Sequence, residues 1–266
     1  MISSGKQTAI GARHTANEDA YGMDPDNGLW FVADGMGGHA AGEVASQIVR
    51  ETVLAEVADG QPLSDAICKA HDTVVELASE DPGKRGMGST IIALRVDGAQ
   101  ADVAWVGDSR LYLWRNDALE QITRDHSYVE YLIAKGEITS GEADNHPERN
   151  VLVQTLGYDE PTPGILQLEL QSGDRLLLCS DGVYTEMTRE TIGDVLGQAE
   201  DPQTAAQQLI DHVVAVPGKD DATAIVLDYQ PFQAGAELAL SPWKAALIGI
   251  TVGLIAFAVA VWVTRN

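Results

Sequence analysis

Four aspartates stand where an apolar run meets a turn. Asp34 follows Trp30-Phe31-Val32-Ala33, Asp108 follows Val106-Gly107, Asp181 follows the run ending in Cys179-Ser180, and Asp220 precedes the run Ala224 to Leu227. A carboxylate delivered by the end of a buried strand, beside glycines that let backbone groups approach closely, suits a metal or phosphate site. Taken singly, each is at least as well read as a turn or cap residue. If the strand ends converge, several like charges share one small volume, which raises their pKa values and costs stability unless cations neutralise them. Oxygen ligands with no His or Cys cluster point to Mg²⁺ or Mn²⁺. Two such ions about 3.5–4 Å apart lower the pKa of a water between them and clamp the oxygens of a phosphoryl group.

The elements that must carry these residues are legible as blocks. Leu29 to Ala33 reads as a strand, and after Gly35, Gly37, Gly38 and Gly42 the residues Val44, Ile48, Val49, Val53, Leu54 and Val57 fall at helical spacing. A second helix follows Pro62, with Ile67, Ala70, Val74 and Leu77 on one face. Ser89 to Val96, Ala101 to Val106 and Leu111 to Trp114 read as successive strands with short polar connections, the pattern of antiparallel hairpins. Further strands are predicted at Asp174 to Cys179 and Ala224 to Leu227, and helices at Ser127 to Lys135, Thr188 to Leu196 and Thr204 to Val214, the last with Asp201 as N-cap and Pro202 in its first turn. Gly136 to Asn150 is a polar loop that could cover a site. Strands and helices arrive in blocks, so the fold class is α+β with a mainly antiparallel sheet system.

Composition narrows the partners. The 266 residues carry 40 acidic against 17 basic side chains, a formal net charge of −23, which argues against binding nucleic acid through its phosphates and makes bound cations plausible. Cys68 and Cys179 show neither zinc spacing nor a disulfide framework, consistent with a reducing cytoplasm. The first residues, Met-Ile-Ser-Ser-Gly-Lys-Gln-Thr, lack the apolar stretch of a signal peptide.

Read together, Asn17-Glu18-Asp19-Ala20, Val32-Ala33-Asp34-Gly35-Met36-Gly37-Gly38-His39, Gly88-Ser89-Thr90, Val106-Gly107-Asp108-Ser109-Arg110, Thr123-Arg124-Asp125-His126-Ser127, Ser180-Asp181-Gly182 and Asp220-Asp221-Ala222-Thr223 resemble, in order and spacing, the metal-dependent serine/threonine protein phosphatases of type 2C in their compact bacterial form. The resemblance spans residues 8 to 228. It implies two antiparallel sheets packed face to face and flanked by helix pairs, a four-layer αββα sandwich. It also implies that Asp34 bridges two Mn²⁺ or Mg²⁺ ions, with the Gly35 carbonyl on one and Asp181 and Asp220 on the other. Glu18 and Asp19 would orient waters around them, and Asp108 would help hold a third, weaker ion. The reaction implied is hydrolysis of phosphoserine or phosphothreonine in protein substrates by hydroxide bridging the two ions, without a phosphoenzyme, in opposition to a Ser/Thr kinase.

Several positions depart from the family pattern. The phosphate-binding arginine usually stands four residues before the glutamate, where this chain has His14, with Arg13 one residue earlier; Arg13 is favoured because its fork of donors suits phosphate. Met36 replaces a histidine proposed in eukaryotic members as general acid, and His39 is better read as a turn residue. The final motif is Asp220-Asp221, so either could be the ligand. Thr185 stands where many members place another acid, with Glu186 next, which weakens the third-ion site.

Beyond Tyr229 the character changes. Residues 1–229 read as the phosphatase domain, 230–242 as a linker, 243–263 as a transmembrane helix and 264–266 as a short tail. The uncharged run Ala245 to Val263, flanked by Trp243 and Lys244 and by Trp262 and Arg265, would extend about 28 Å as a helix against a hydrocarbon core of about 30 Å. Gly249 and Gly253 form a small-xxx-small pair that would suit dimerisation. The expectation is a single-pass protein of the cell (inner) membrane with its catalytic domain in the cytoplasm. The competing reading is a phosphoprotein-binding scaffold on a phosphatase fold; a set of mutually repelling carboxylates favours the enzyme. A hydrolase of small phosphate esters is the third.

Overall fold

The structure is a computed structural model and describes residues 1–12, 14–37, 40–143, 145–216 and 220–231. Met1–Pro231 form one compact unit. The predicted transmembrane helix, its Gly249/Gly253 pair and the linker beyond Pro231 lie outside the described residues. Among the described residues no helix is long and apolar enough to cross a membrane.

Two antiparallel sheets make the centre. One is ordered β1 (Ile2–Ala9), β11 (Ala222–Tyr229), β10 (Arg175–Cys179), β7 (Arg110–Arg115), β8 (Ala118–Gln121). The other is ordered β2 (Asp19–Asp24), β3 (Leu29–Met36), β5 (Ile91–Asp97), β6 (Gln100–Val106), β9 (Gly164–Glu169), with the two-residue β4 (Gly88–Ser89) on the end of β3.

The unbroken apolar runs of β3 and β10 follow from burial on both faces. On β3, Trp30 and Val32 point into the space between the sheets, with Ile92, Leu94, Val103 and Trp105 beside them and Leu111, Leu176, Leu178, Ile225 and Leu227 coming from the other sheet. The alternate residues Phe31 and Ala33 point outward and pack under α1 (Ala40–Ala58) and α2 (Leu63–Glu80), through Val49, Val53, Ile67, Ala70 and Val74. On the far side Leu177, Cys179, Ala224 and Val226 are covered by α6 (Arg189–Gln198) and α7 (Pro202–Ala215), through Ile192, Leu196, Leu209, Ile210 and Val213. Helix pair, sheet, sheet, helix pair is the predicted four-layer order. Strand period 2 sets which sheet face each residue serves.

The helix ends match the predicted chemistry. Asp201 accepts from the Thr204 amide at 2.9 Å and Pro202 opens α7. Ser127 caps α3 (Tyr128–Lys135), which Gly136 closes in the left-handed region at φ 72°. The predicted polar loop after it contains one turn of helix, α4 (Ser140–Ala143), and α5 (Asp181–Tyr184) follows β10 directly. Cys68 is exposed on α2 rather than buried with the apolar residues around it.

Candidate active site

The site sits at the ends of β2, β3, β6, β10 and β11, where the two sheets meet their loops. Asp34 lies opposite Asp19 in the β2/β3 register, so two carboxylates face one another on adjacent strands, an arrangement that costs stability by itself. Asp34 is held through its backbone. Its N–H donates to Thr90 Oγ1 at 3.2 Å, and its carbonyl accepts from the Thr90 N–H at 2.8 Å and the Ser89 hydroxyl at 3.0 Å. Thr90 Oγ1 is 2.7 Å from Ser109 Oγ, which ties the Asp34 strand to the turn carrying Asp108. Glycine is required where α1 meets this strand: a Cβ on Gly35 would fall 2.1 Å from the Gly42 carbonyl oxygen, and one on Gly42 would fall 2.1 Å from Glu18 Oε2. The Gly35 N–H donates to the Glu18 carbonyl at 3.1 Å, so Glu18, Gly35 and Gly42 are one contact.

From the other sheet, Ser180 donates to Asp19 Oδ2 at 2.7 Å and accepts from the Thr223 N–H at 3.0 Å, joining β2 to β10 and β11. Asp181 opens α5 one residue later. The Asp108 carbonyl accepts from the Tyr184 hydroxyl at 3.0 Å. The Arg110 guanidinium lies 3.5 Å from the centre of the Tyr184 ring and is itself clamped by Asp125, from Nε to Oδ1 at 3.0 Å and from Nη2 to Oδ2 at 2.7 Å. Sequence reasoning assigned Tyr184 no role; its place three residues past Asp181, one helical turn along, is the only signal it offered.

The two aspartates of the last motif divide the work. Asp221 is buried and turned inward, accepting from the Gly11 N–H at 2.7 Å, the Glu18 N–H at 2.6 Å and His14 Nδ1 at 3.0 Å. Asp220 keeps a half-exposed side chain, whose Oδ1 accepts from the neighbouring Asp221 N–H at 3.0 Å and lies 3.9 Å from His14 Nδ1. Position 14 is therefore engaged with Asp221, which raises the His14 pKa through that hydrogen bond and the nearby acids. Arg13, Gly38 and His39 lie outside the described residues.

The carboxylates act on one another electrostatically. Burial first, then the charges of Asp19, Asp181, Asp108 and Asp220, hold the Asp34 carboxyl well above its ordinary range, and burial followed by Asp108, Asp220 and Asp19 does the same to Asp181. Burial lifts Asp19 to about 7 against hydrogen bonds from Thr223 and Ser180, and lifts Asp108 to about 6. So Asp19, Asp34, Asp108, Asp181 and Asp220 lie near enough for their charges to act on one another. Among the described residues no three or more His, Cys, Asp or Glu side chains are closed up to hold a metal ion. The fit to cations rests on the donor set instead. Asp19 Oδ1 and Asp181 Oδ1 are buried with no hydrogen-bond partner among the described residues, which is costly unless something positive is bound there.

A pH dependence follows. Asp19 and Asp108 have folded-state pKa values above the ordinary 3.8, so their protonation stabilises the metal-free fold fully below about 3.8 and this contribution is lost as pH rises through about 6 to 7. The melting temperature of EDTA-treated chain should fall between pH 5 and 8, less steeply in Asp19→Asn. Saturating Mn²⁺ should offset the fall, because ions compete with protons for the same oxygens. A metal-free melting temperature that rises over this range contradicts the assignment.

A family model for protein phosphatase 2C matches residues 8–215. The chain belongs to the protein phosphatase 2C family. Among members of the family, the serine/threonine protein phosphatase PstP of Mycobacterium tuberculosis is 37% identical over 223 residues, 78% of this chain but 43% of that protein, so the chain spans less than half of its length. The serine/threonine phosphatase stp of Listeria welshimeri is 35% identical over 235 residues, covering 83% of this chain and 93% of that one. The catalytic domain of PstP, solved in complex with two manganese ions, superposes with a TM-score of 0.76 at 34% identity over 85% of this chain and 97% of that one.

Proposed function

We propose that this chain is a metal-dependent protein phosphatase that hydrolyses phosphoserine and phosphothreonine in protein substrates. The observation that carries the reading is the pair of buried carboxylate oxygens on Asp19 and Asp181, unpartnered among the described residues, within a set of aspartates that raise one another's pKa. Asp34, the Gly35 carbonyl, Asp181 and Asp220 would hold two Mn²⁺ or Mg²⁺ ions, with Glu18 and Asp19 orienting water around them and Asp108 contributing to a weaker third site. PstP, with its two manganese ions, supports that choice of cation. Bound there, divalent ions supply Lewis acidity, lowering the pKa of water and neutralising charge on the phosphoryl oxygens.

The chain's own residues do the rest. The Thr90, Ser89 and Ser109 hydroxyls fix Asp34, Ser180 fixes Asp19, and Tyr184 fixes the turn of Asp108. Asp221 anchors residues 11 to 18, the segment that carries Arg13, which we assign to binding the phosphate of the substrate. Met36 has no proton to give, so the proton for the leaving group must come from elsewhere, for which a water held by the ions would serve.

Residues 243–263 are proposed to tether the enzyme to the cell membrane with residues 1–229 in the cytoplasm, where it reverses a Ser/Thr kinase. Their uncharged run and flanking Trp, Lys and Arg support this. The test is phosphate release from a phosphothreonine peptide by the full chain with Mn²⁺, with and without EDTA, in membrane and soluble fractions of an expressing cell. Chelator-sensitive release in the membrane fraction is expected. Folded, Mn²⁺-binding chain without chelator-sensitive release would leave the scaffold reading in its place, and activity confined to the soluble fraction would refute the tether.

A further inference from the structure

Met36, two residues past Asp34 on β3, bounds one side of a cavity of about 370 Å³. Leu152, Val153 and Tyr158 give it apolar walls, and Asp159 and Glu160 stand at its rim. Val153, Tyr158, Asp159 and Glu160 are all exposed. Asn150, Gln154 and Thr155 add polar groups to the lining, and a groove of this size that combines apolar walls with a few polar and charged groups has the make-up of a ligand site.

The segment that walls the groove is strapped down. The Val153 N–H donates to the His126 carbonyl at 2.8 Å, Leu156 and Ser89 exchange backbone hydrogen bonds at 2.9 and 3.1 Å, and the Gly157 N–H donates to His71 Nδ1 at 3.1 Å. The Tyr158 hydroxyl donates to the Gly86 carbonyl at 2.7 Å, which holds the ring upright at the groove's edge. Ser89 ties this segment to the strand of Asp34: it pairs with Leu156 and donates to the Asp34 carbonyl. Met36, which lines the groove, stands two residues past Asp34 on β3 and so on the same face of that strand, which leads from Asp34 toward Met36 and Tyr158. None of the ion pairs among the described residues involves Asp159 or Glu160, so both carboxylates face solvent with their charge unneutralised by a neighbouring cation.

We propose that this groove is a substrate-selecting subsite that takes the residues flanking the phosphorylated one, with an apolar side chain against Val153 and Tyr158 and a Lys or Arg against Asp159 and Glu160. The inference rests on the phosphatase reading and adds to it the class of substrate: phosphorylated segments that are locally basic and apolar, not acidic ones. Charge complementarity at an exposed rim contributes selectivity of moderate size that salt screens.

The test compares two phosphothreonine peptides that differ only in Lys or Glu at the positions within three residues of the phosphothreonine, using the full chain with Mn²⁺ and with p-nitrophenyl phosphate as a substrate lacking flanking residues. The Lys peptide should have the higher kcat/KM, by about three- to tenfold. That ratio should fall toward one in Asp159→Asn with Glu160→Gln, and in wild type as NaCl is raised. Equal turnover of the two peptides by wild type overturns the inference, as does a preference that survives the double variant. If that variant does not fold, a preference undiminished by salt in wild type overturns it equally. A wild type that hydrolyses neither peptide nor p-nitrophenyl phosphate is a separate result, which removes the phosphatase reading itself.

Discussion

Asp34→Asn is expected to lower turnover by at least about a thousandfold while making the metal-free chain more stable. The two effects have one origin. Burial and the charges of Asp19, Asp181, Asp108 and Asp220 make ionised Asp34 an expensive group in the absence of cations. Asparagine keeps the shape and removes the charge. The hydrogen bonds that place residue 34 run to its backbone from Thr90 and Ser89, so the substitution leaves them intact. Relief of like-charge repulsion should contribute about 1–2 kcal/mol, read as a melting temperature several degrees higher in EDTA. In wild type Mn²⁺ should raise the melting temperature strongly, and in the variant it should raise it little. Retained turnover would sink the bridging role of Asp34. Lost turnover with an undiminished Mn²⁺ shift would mean that Asp34 serves the reaction without holding ions.

Asp221→Ala carries the second large effect, and it falls on stability. The Asp221 carboxylate accepts from two backbone N–H groups, of Gly11 and Glu18, and from His14, while only 3% exposed. Alanine orphans both amides in a buried place, which should cost about 3 kcal/mol and lower the urea midpoint accordingly. Turnover should fall as well, because the loop carrying Arg13, and Glu18 with it, loses its anchor. Asp220→Ala is the contrast: its side chain is about half exposed and, among the described residues, accepts a hydrogen bond from the next residue alone, so stability should barely change while Mn²⁺-dependent turnover collapses. Equal urea midpoints for Asp221→Ala and wild type would show that the inward hydrogen bonds do not anchor the segment.

Why the two neighbours differ could not be read from Asp-Asp as written. Asp221 is selected by donors at Gly11 and Glu18, some 210 and 203 positions away along the chain. Local sequence carries no record of such pairing. The strands β3 and β10 were legible because both faces are buried, so their apolar runs are continuous, and β6 because its second half, Val103 to Val106, is buried throughout; the aspartates at their ends stand out. β1, with the sequence Ile-Ser-Ser-Gly-Lys-Gln-Thr-Ala, has no apolar pattern; it is a strand because all eight residues pair with β11. β2 was hidden by its shortness and by Gly22, whose missing side chain is replaced by the ring of Phe31. β9 alternates but leaves Ile165 63% exposed at the sheet edge, so its pattern reads as loop. The motif aspartates could be grouped from sequence, whereas the supporting hydroxyl of Tyr184 and the groove of Leu152 to Glu160 depend on loops that carry no periodicity.

The pairing of β1 with β11 reaches past the sheet itself. Residues 2–9 find their partners at 222–229, so the central sheet closes only when chain separated by more than two hundred residues meets, a non-local step that is slow by its topology. Asp19 and Asp34 come early in the chain, and Asp181 and Asp220 come late. A growing polypeptide therefore carries half of its carboxylates without their counterparts, and no partly made chain assembles the full ion-binding pocket. On the proposed reading, competence for chemistry would arrive all at once, when β11 joins the sheet, and unfinished protein would consume neither metal nor phosphorylated substrate.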